Sequence, residues 1–85
     1  MLWAVYKAGA DGYWGDFALP AVELFNRLSE VERRFAELAK RRGWKTHIVD
    51  EPGFFKGGRI VKVAHGKSAV PKLVLECIDT DEFLR

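Results

Sequence analysis

Leu24, Leu28, Val31, Phe35 and Leu38 recur at spacings of four, three, four and three, the one long helical rhythm in an 85-residue chain. That spacing lines apolar side chains along one face of an α-helix. Pro20 suits the first helical position, and Lys40, Arg41 and Arg42 ahead of Gly43 mark the end. A straight helix over 20–42 would span about 35 Å. A compact domain of this length is only about 30 Å across. Ser29 followed by Glu32 forms a capping box, so a break is expected near Asn26–Ser29. The helical element is then one broken helix or a helical hairpin.

Four short apolar stretches surround it, at Leu2–Lys7, Lys45–Asp50, Arg59–His65 and Lys72–Ile78, each bounded by Gly, Pro or Asp. Their length and flanks predict strands. The fold class is therefore α+β: one domain over 1–85, ordered β-α(α)-β-β-β. A mostly antiparallel sheet of four strands carries the helical element on one face. Alternation assigns Trp3, Val5, Val61, Val63, Leu73, Leu75 and Cys77 to the helix side. It assigns Leu2, Ala4, Tyr6, Ile60, Ala64, Val74 and Ile78 to the other side, which then needs a cover. Loop 8–19, with Tyr13, Trp14 and Phe17, or a second subunit would supply one. A short extra strand around Tyr13–Phe17 is the other use for that loop.

No apolar run approaches the roughly 18 residues of a membrane span, and the N-terminus lacks the basic region of a signal peptide. The single Cys77 sits in LVLECI and reads as a buried, unreactive thiol in a reducing cytoplasm. Gln is absent, and Asn, Cys and Met each occur once, a depletion that points to a thermophilic prokaryote or one of its viruses.

Charge is distributed unevenly. Net charge is +2, yet between 40 and 72 nine Lys and Arg meet only Asp50 and Glu51. Some of these cations answer to the negative end of the helix dipole, others to the need for a soluble sheet edge. The single sign over so long a stretch, with Phe54 and Phe55 inside a glycine-flanked loop, points to nucleic acid, since strand-and-loop surfaces of this kind bind single strands by phosphate contacts and stacking. The candidate site is Arg41, Arg42, Lys45, Phe55, Lys56, Arg59, Lys62, Lys67 and Lys72. It acts by charge, largely without sequence readout.

Other chemistry finds little support. Gly66-Lys67-Ser68 lacks the upstream glycine and the following helix of a P-loop. Gly9, Gly12 and Gly15 are not spaced for dinucleotides, and Asp11 and Asp16 would repel phosphate. Gly12-Tyr13-Trp14-Gly15 spells a GXXG without the flanking helices of a KH domain. His47 and His65 have no neighbour at metal-ligand spacing, and Asp79, Asp81 and Glu82 are better used in capping a short terminal turn. No catalytic residue, metal or cofactor is assigned, and a binding protein is favoured over an enzyme.

Two alternatives stand beside this reading. One is a protein-interaction or inhibitor module, homodimeric through the second sheet face. The other rests on element order, which is similar to that of RelE-type toxins, small ribonucleases that cleave messenger RNA on the ribosome. The resemblance implies basic and tyrosine residues on late strands. Arg59, Lys62, His65 and Lys72 lie there, but no tyrosine follows Tyr13, and no catalytic residue is carried over.

Overall fold

The apolar alternation of Leu2–Lys7 does produce a strand, and its pairing settles the layout of the rest. In the computed structural model, which describes residues 1–7, 22–67 and 72–85, this strand (β1) is followed by β2 (Val22–Phe25), α1 (Leu28–Arg42) and β3 (Lys45–Pro52). Then come β4 (Gly58–His65), β5 (Leu73–Ile78) and a last helical turn, α2 (Thr80–Phe83). The described strands form one antiparallel five-stranded sheet in the order β2-β1-β5-β4-β3. The class is α+β as expected, with one strand more than the sequence suggested. Among the described residues no helix is long and apolar enough to cross a membrane.

The additional strand is β2, in the stretch assigned to the start of the helix. Val22, Glu23, Leu24 and Phe25 pair with Tyr6, Val5, Ala4 and Trp3, occupying the edge of β1 that β5 leaves open. The apolar rhythm misled because its first two members never joined the helical face: Leu24 and Leu28 are exposed, whereas Val31, Phe35, Leu38 and Ala39 are buried. A break near Asn26–Ser29 is present, in the form of a bend at Asn26 and an extended Arg27. Ser29 is not the cap. Arg27 holds that position without a side-chain bond, and Ser29 lies exposed in the first turn. The C-terminus matches expectation, with Gly43 left-handed at φ 66° and donating to the carbonyls of Ala39 and Lys40. Asp79 likewise caps α2, accepting from the amides of Asp81 and Glu82.

The core lies between α1 and one face of the sheet. Val5, Leu73, Leu75 and Ala64 meet Val31, Phe35, Leu38 and Ala39, with Trp3, Phe25, Trp44 and Val61 around them. Two assignments of face are corrected. A bulge between Ile60 and Lys62 inserts one residue of β4 opposite β5, so Ala64 pairs with Leu73 on the helix side and Val63 with Val74 on the other. Lys62 is thereby turned under the helix, its ammonium 5.9 Å from the centre of the Phe35 ring. The proposed cover and extra strand at 8–19, and most of the turn after Lys67, lie outside the described residues. α1 packs mainly on β1, β2 and β5. Among the described residues no element packs on the helix side of the edge strand β3, and Ile48 there is 86 % exposed.

An uncapped helix start offers a direct check. Arg27 already has the extended conformation of a cap (φ −129°, ψ 129°). Arg27→Ser should therefore stabilise the fold by about 1 kcal/mol, measured as a rise in the urea midpoint at unchanged m.

Candidate functional site

The two ends of the sheet are chemically different. At one end lie the last residue of β1 (Lys7), the end of α1 and the start of β3, the end of β4 and the start of β5. Lys7 pairs with Leu73, Lys45 pairs with His65, and the Lys72 amide donates to the Ala64 carbonyl at 2.8 Å. At the other end Gly58 and Leu2 both face Ile78, and the Asp79 amide donates to the Gly57 carbonyl at 2.9 Å, which brings the acids of α2 alongside. Along β4 the ends are about 20 Å apart.

The candidate residues divide between them. Arg41, Arg42, Lys45, Lys67 and Lys72 belong to the first end, Phe55, Lys56 and Arg59 to the second, and Lys62 lies between, beneath Phe35. The second group is already engaged within the fold. Arg59 pairs with Asp50, and the Lys56 ammonium donates to the Arg85 carbonyl at 2.6 Å. The Phe55 ring meets Tyr6 at 5.9 Å, Phe54 at 5.3 Å and Phe83 at 6.5 Å between centres. In the first group, Arg41 pairs with Glu37 at 2.8 Å.

What fixes the second end is Glu76, a fully buried acid inside the otherwise apolar β5. Three donors converge on its carboxylate: the Tyr6 hydroxyl at 2.5 Å, the Phe54 amide at 2.8 Å and the Phe55 amide at 2.9 Å. Loop 53–57 folds across the second face of the sheet to deliver those amides, which gives that face part of its cover. The approach is close enough that a Cβ at Gly53 or Gly58 would collide with the carboxylate, a physical reason for both glycines. Burial and the Glu76 carboxylate push the Tyr6 phenol well above its ordinary range, so it remains a donor. Cys77, beside Met1, is also raised, by burial first, and its sulfur lies 3.1 Å from the Met1 sulfur. A protonated, partly buried thiol is a poor nucleophile.

The first end holds an open cavity of about 460 Å³ lined by Arg42, Gly43, Trp44, Lys45, His65, Gly66 and Lys67. Three cations, an imidazole and an indole face it, with no carboxylate among the described lining residues. A cavity of similar size, about 430 Å³, at the other end sets Arg59 against Asp79 and Glu82. Beside the first cavity, desolvation and then the neighbouring charge of Arg42 lower the pKa of Lys7, a sign of crowded positive charge. His47 and His65 adjoin it, with Nε2 atoms 2.7 Å apart and rings parallel to within 3°. Parallel planes cannot be further apart than that contact, which is less than the 3.5–4.0 Å of carbon atoms in ordinary contact. The rings therefore meet edge to edge through an N–H···N bond. His65 Nδ1 lies 2.9 Å from the Gly66 carbonyl oxygen. It is thus assigned as the donor there, which makes His65 Nε2 the acceptor and His47 Nε2 the donor.

Trp44, His65, His47 and Lys7 were absent from the sequence-based set. Trp44 could have been found as an aromatic set between Arg42-Gly43 and Lys45. The His pair could not, because it forms diagonally across two strands. No protein-family model, curated protein or solved structure matches this chain. The site's chemistry therefore rests on its geometry.

Removing the buried acid would leave three donors unanswered, so Glu76→Ala should destabilise by about 3–5 kcal/mol. Tyr6→Phe should cost about 1.5–3 kcal/mol, the worth of one bond to a charged group. Because the folded phenol holds its proton more tightly than the unfolded one, its contribution is complete below the unfolded value near 10 and is lost above it. The stability gap between wild type and Tyr6→Phe should be constant up to about pH 9 and narrow above about pH 10, as read from urea titrations at each pH.

Proposed function

We propose that the chain binds single-stranded nucleic acid at the basic end of the sheet, through the cavity between the end of α1 and the β3–β4 pair. The observation that carries this reading is the cavity's lining: Arg42, Lys45 and Lys67 around Trp44 and His65, with no acid among the described lining residues. Cations on three separate segments suit phosphates spaced along a strand, and an indole beside them suits a base. Compared with the set first drawn from the sequence, this site keeps Arg42, Lys45 and Lys67, with Lys72 and Arg41 at its margin. It gives up Phe55, Lys56 and Arg59, whose contacts serve the fold.

The interaction-module reading has Phe54, Phe83 and Leu84 in its favour, exposed at the opposite end. The ribonuclease reading is less well supported. His47 and His65 could act as acid and base, but with Nε2 atoms in direct contact at 2.7 Å no phosphate fits between them.

Titrating labelled oligonucleotides at several salt concentrations tests the proposal. Three phosphate contacts give a log–log slope of about −2 on single strands. Lys45→Ala with Lys67→Ala should leave about −0.7, while Lys56→Ala with Arg59→Ala should change neither slope nor affinity. Failure to bind at low salt, or a loss confined to the Lys56 and Arg59 variant, would overturn it.

A further inference from the structure

Strand β3 is the outermost of the described strands on its side of the sheet, and its sequence Lys-Thr-His-Ile-Val-Asp-Glu-Pro has an internal polarity. Lys45 and His47 occupy the first half, Ile48 and Val49 the middle, and Asp50 and Glu51 the second half. All but Val49 are exposed, and Ile48 is 86 % exposed on the helix side of the sheet, beyond the strands on which α1 mainly packs.

An unpaired edge presents a row of backbone donors and acceptors to any strand that can lie beside it. The identity of that strand is indicated by the polarity. A second β3 laid antiparallel about a two-fold axis at Ile48 puts Lys45 opposite Glu51 of the partner subunit, twice by symmetry. The same register places Ile48 against Ile48 of the partner subunit, covering apolar surface that neither chain covers alone. The bulge between Ile48 and Glu51 shortens that half of the strand by about one residue, so Lys45 and Glu51 of the partner subunit meet diagonally, a separation within reach of two long side chains. Lys45, His47 and Glu51 pair with His65, Val63 and Ile60 of β4. All three therefore point to the same face, and Lys45 and Glu51 can meet there.

We infer that two copies of this chain associate through their β3 edges, in the register that opposes Lys45 and Glu51. The contact joins edges, unlike the face-to-face dimer that the sequence suggested. It spans a single strand pair, below the roughly 1,000 Å² of a durable interface, so the dimer exchanges readily and forms in the micromolar range.

Sedimentation equilibrium across a micromolar-to-millimolar series tests the inference on the full chain. Wild type should be a reversible dimer. Ile48→Lys and Lys45→Glu should each weaken association by about tenfold or more, because each sets like charges together at the two-fold axis or at both symmetric pairs. Lys45→Glu combined with Glu51→Lys restores opposite charges in reversed order and should recover the wild-type constant to within about threefold. All these positions are exposed, and circular dichroism checks that each variant is folded. A wild type that stays monomeric at millimolar concentration overturns the inference. So does a dimer indifferent to Lys45→Glu, or a double variant as weak as the single.

Discussion

A carboxylate with no exposed surface organises one half of this molecule. Glu76 sits in the central strand, where an acid without partners would be too costly to bury. Its three donors come from β1 and from the loop joining β3 to β4. To satisfy it, that loop must cross the second face of the sheet, Gly53 and Gly58 must lack side chains, and Tyr6 must keep its proton. The aromatic cluster of Tyr6, Phe54, Phe55 and Phe83 then closes over the same region. One buried charge thereby fixes a loop, two glycines and the packing of the terminal turn.

A consequence for function follows. The loop with its two phenylalanines, a lysine and a nearby arginine has the composition of a nucleic-acid-binding hairpin, but its Phe54 and Phe55 amides are held by Glu76, and Lys56 and Arg59 have partners at the surface of the fold. At the opposite end of the sheet Lys7, Arg42, Lys45, Lys67 and Lys72 gather because five elements end or begin there. Lys45 also opens the edge strand, so the proposed strand pairing between copies and the proposed phosphate binding would draw on the same side chain and compete.

Much of the local structure was legible in the sequence. The basic last turn with Gly43 gave the helix end, Asp79 gave the cap of α2, and short apolar runs with their flanks gave β1, β3, β4 and β5. Each depends on residues within a few positions of one another. What escaped depends on distant pairing. Val22–Phe25 is a strand because β1 has an open edge, and no local signal opposed the helical rhythm that Leu24 and Leu28 appeared to begin. The bulge in β4 exchanged the faces of Val63 and Ala64 without any Gly or Pro to mark it. Tyr6 and Glu76 are 70 positions apart. The one hint of their bond was an acid within the run LVLECI, a segment already assigned to the core. In the candidate site the charge surplus was readable, whereas the separation of its members to two ends of the sheet was not, since it follows from strand order.

The division of labour between the two ends is the central claim, and a residue-resolved map of amide and indole shifts during titration with a short single-stranded oligonucleotide tests it most directly. The account predicts that the Trp44 indole and the amides of Lys45, Gly66 and Lys67 shift with saturation, while the amides of Phe54 and Phe55 stay in place, held by Glu76. Shifts gathered in 53–59 with the basic end silent would contradict it.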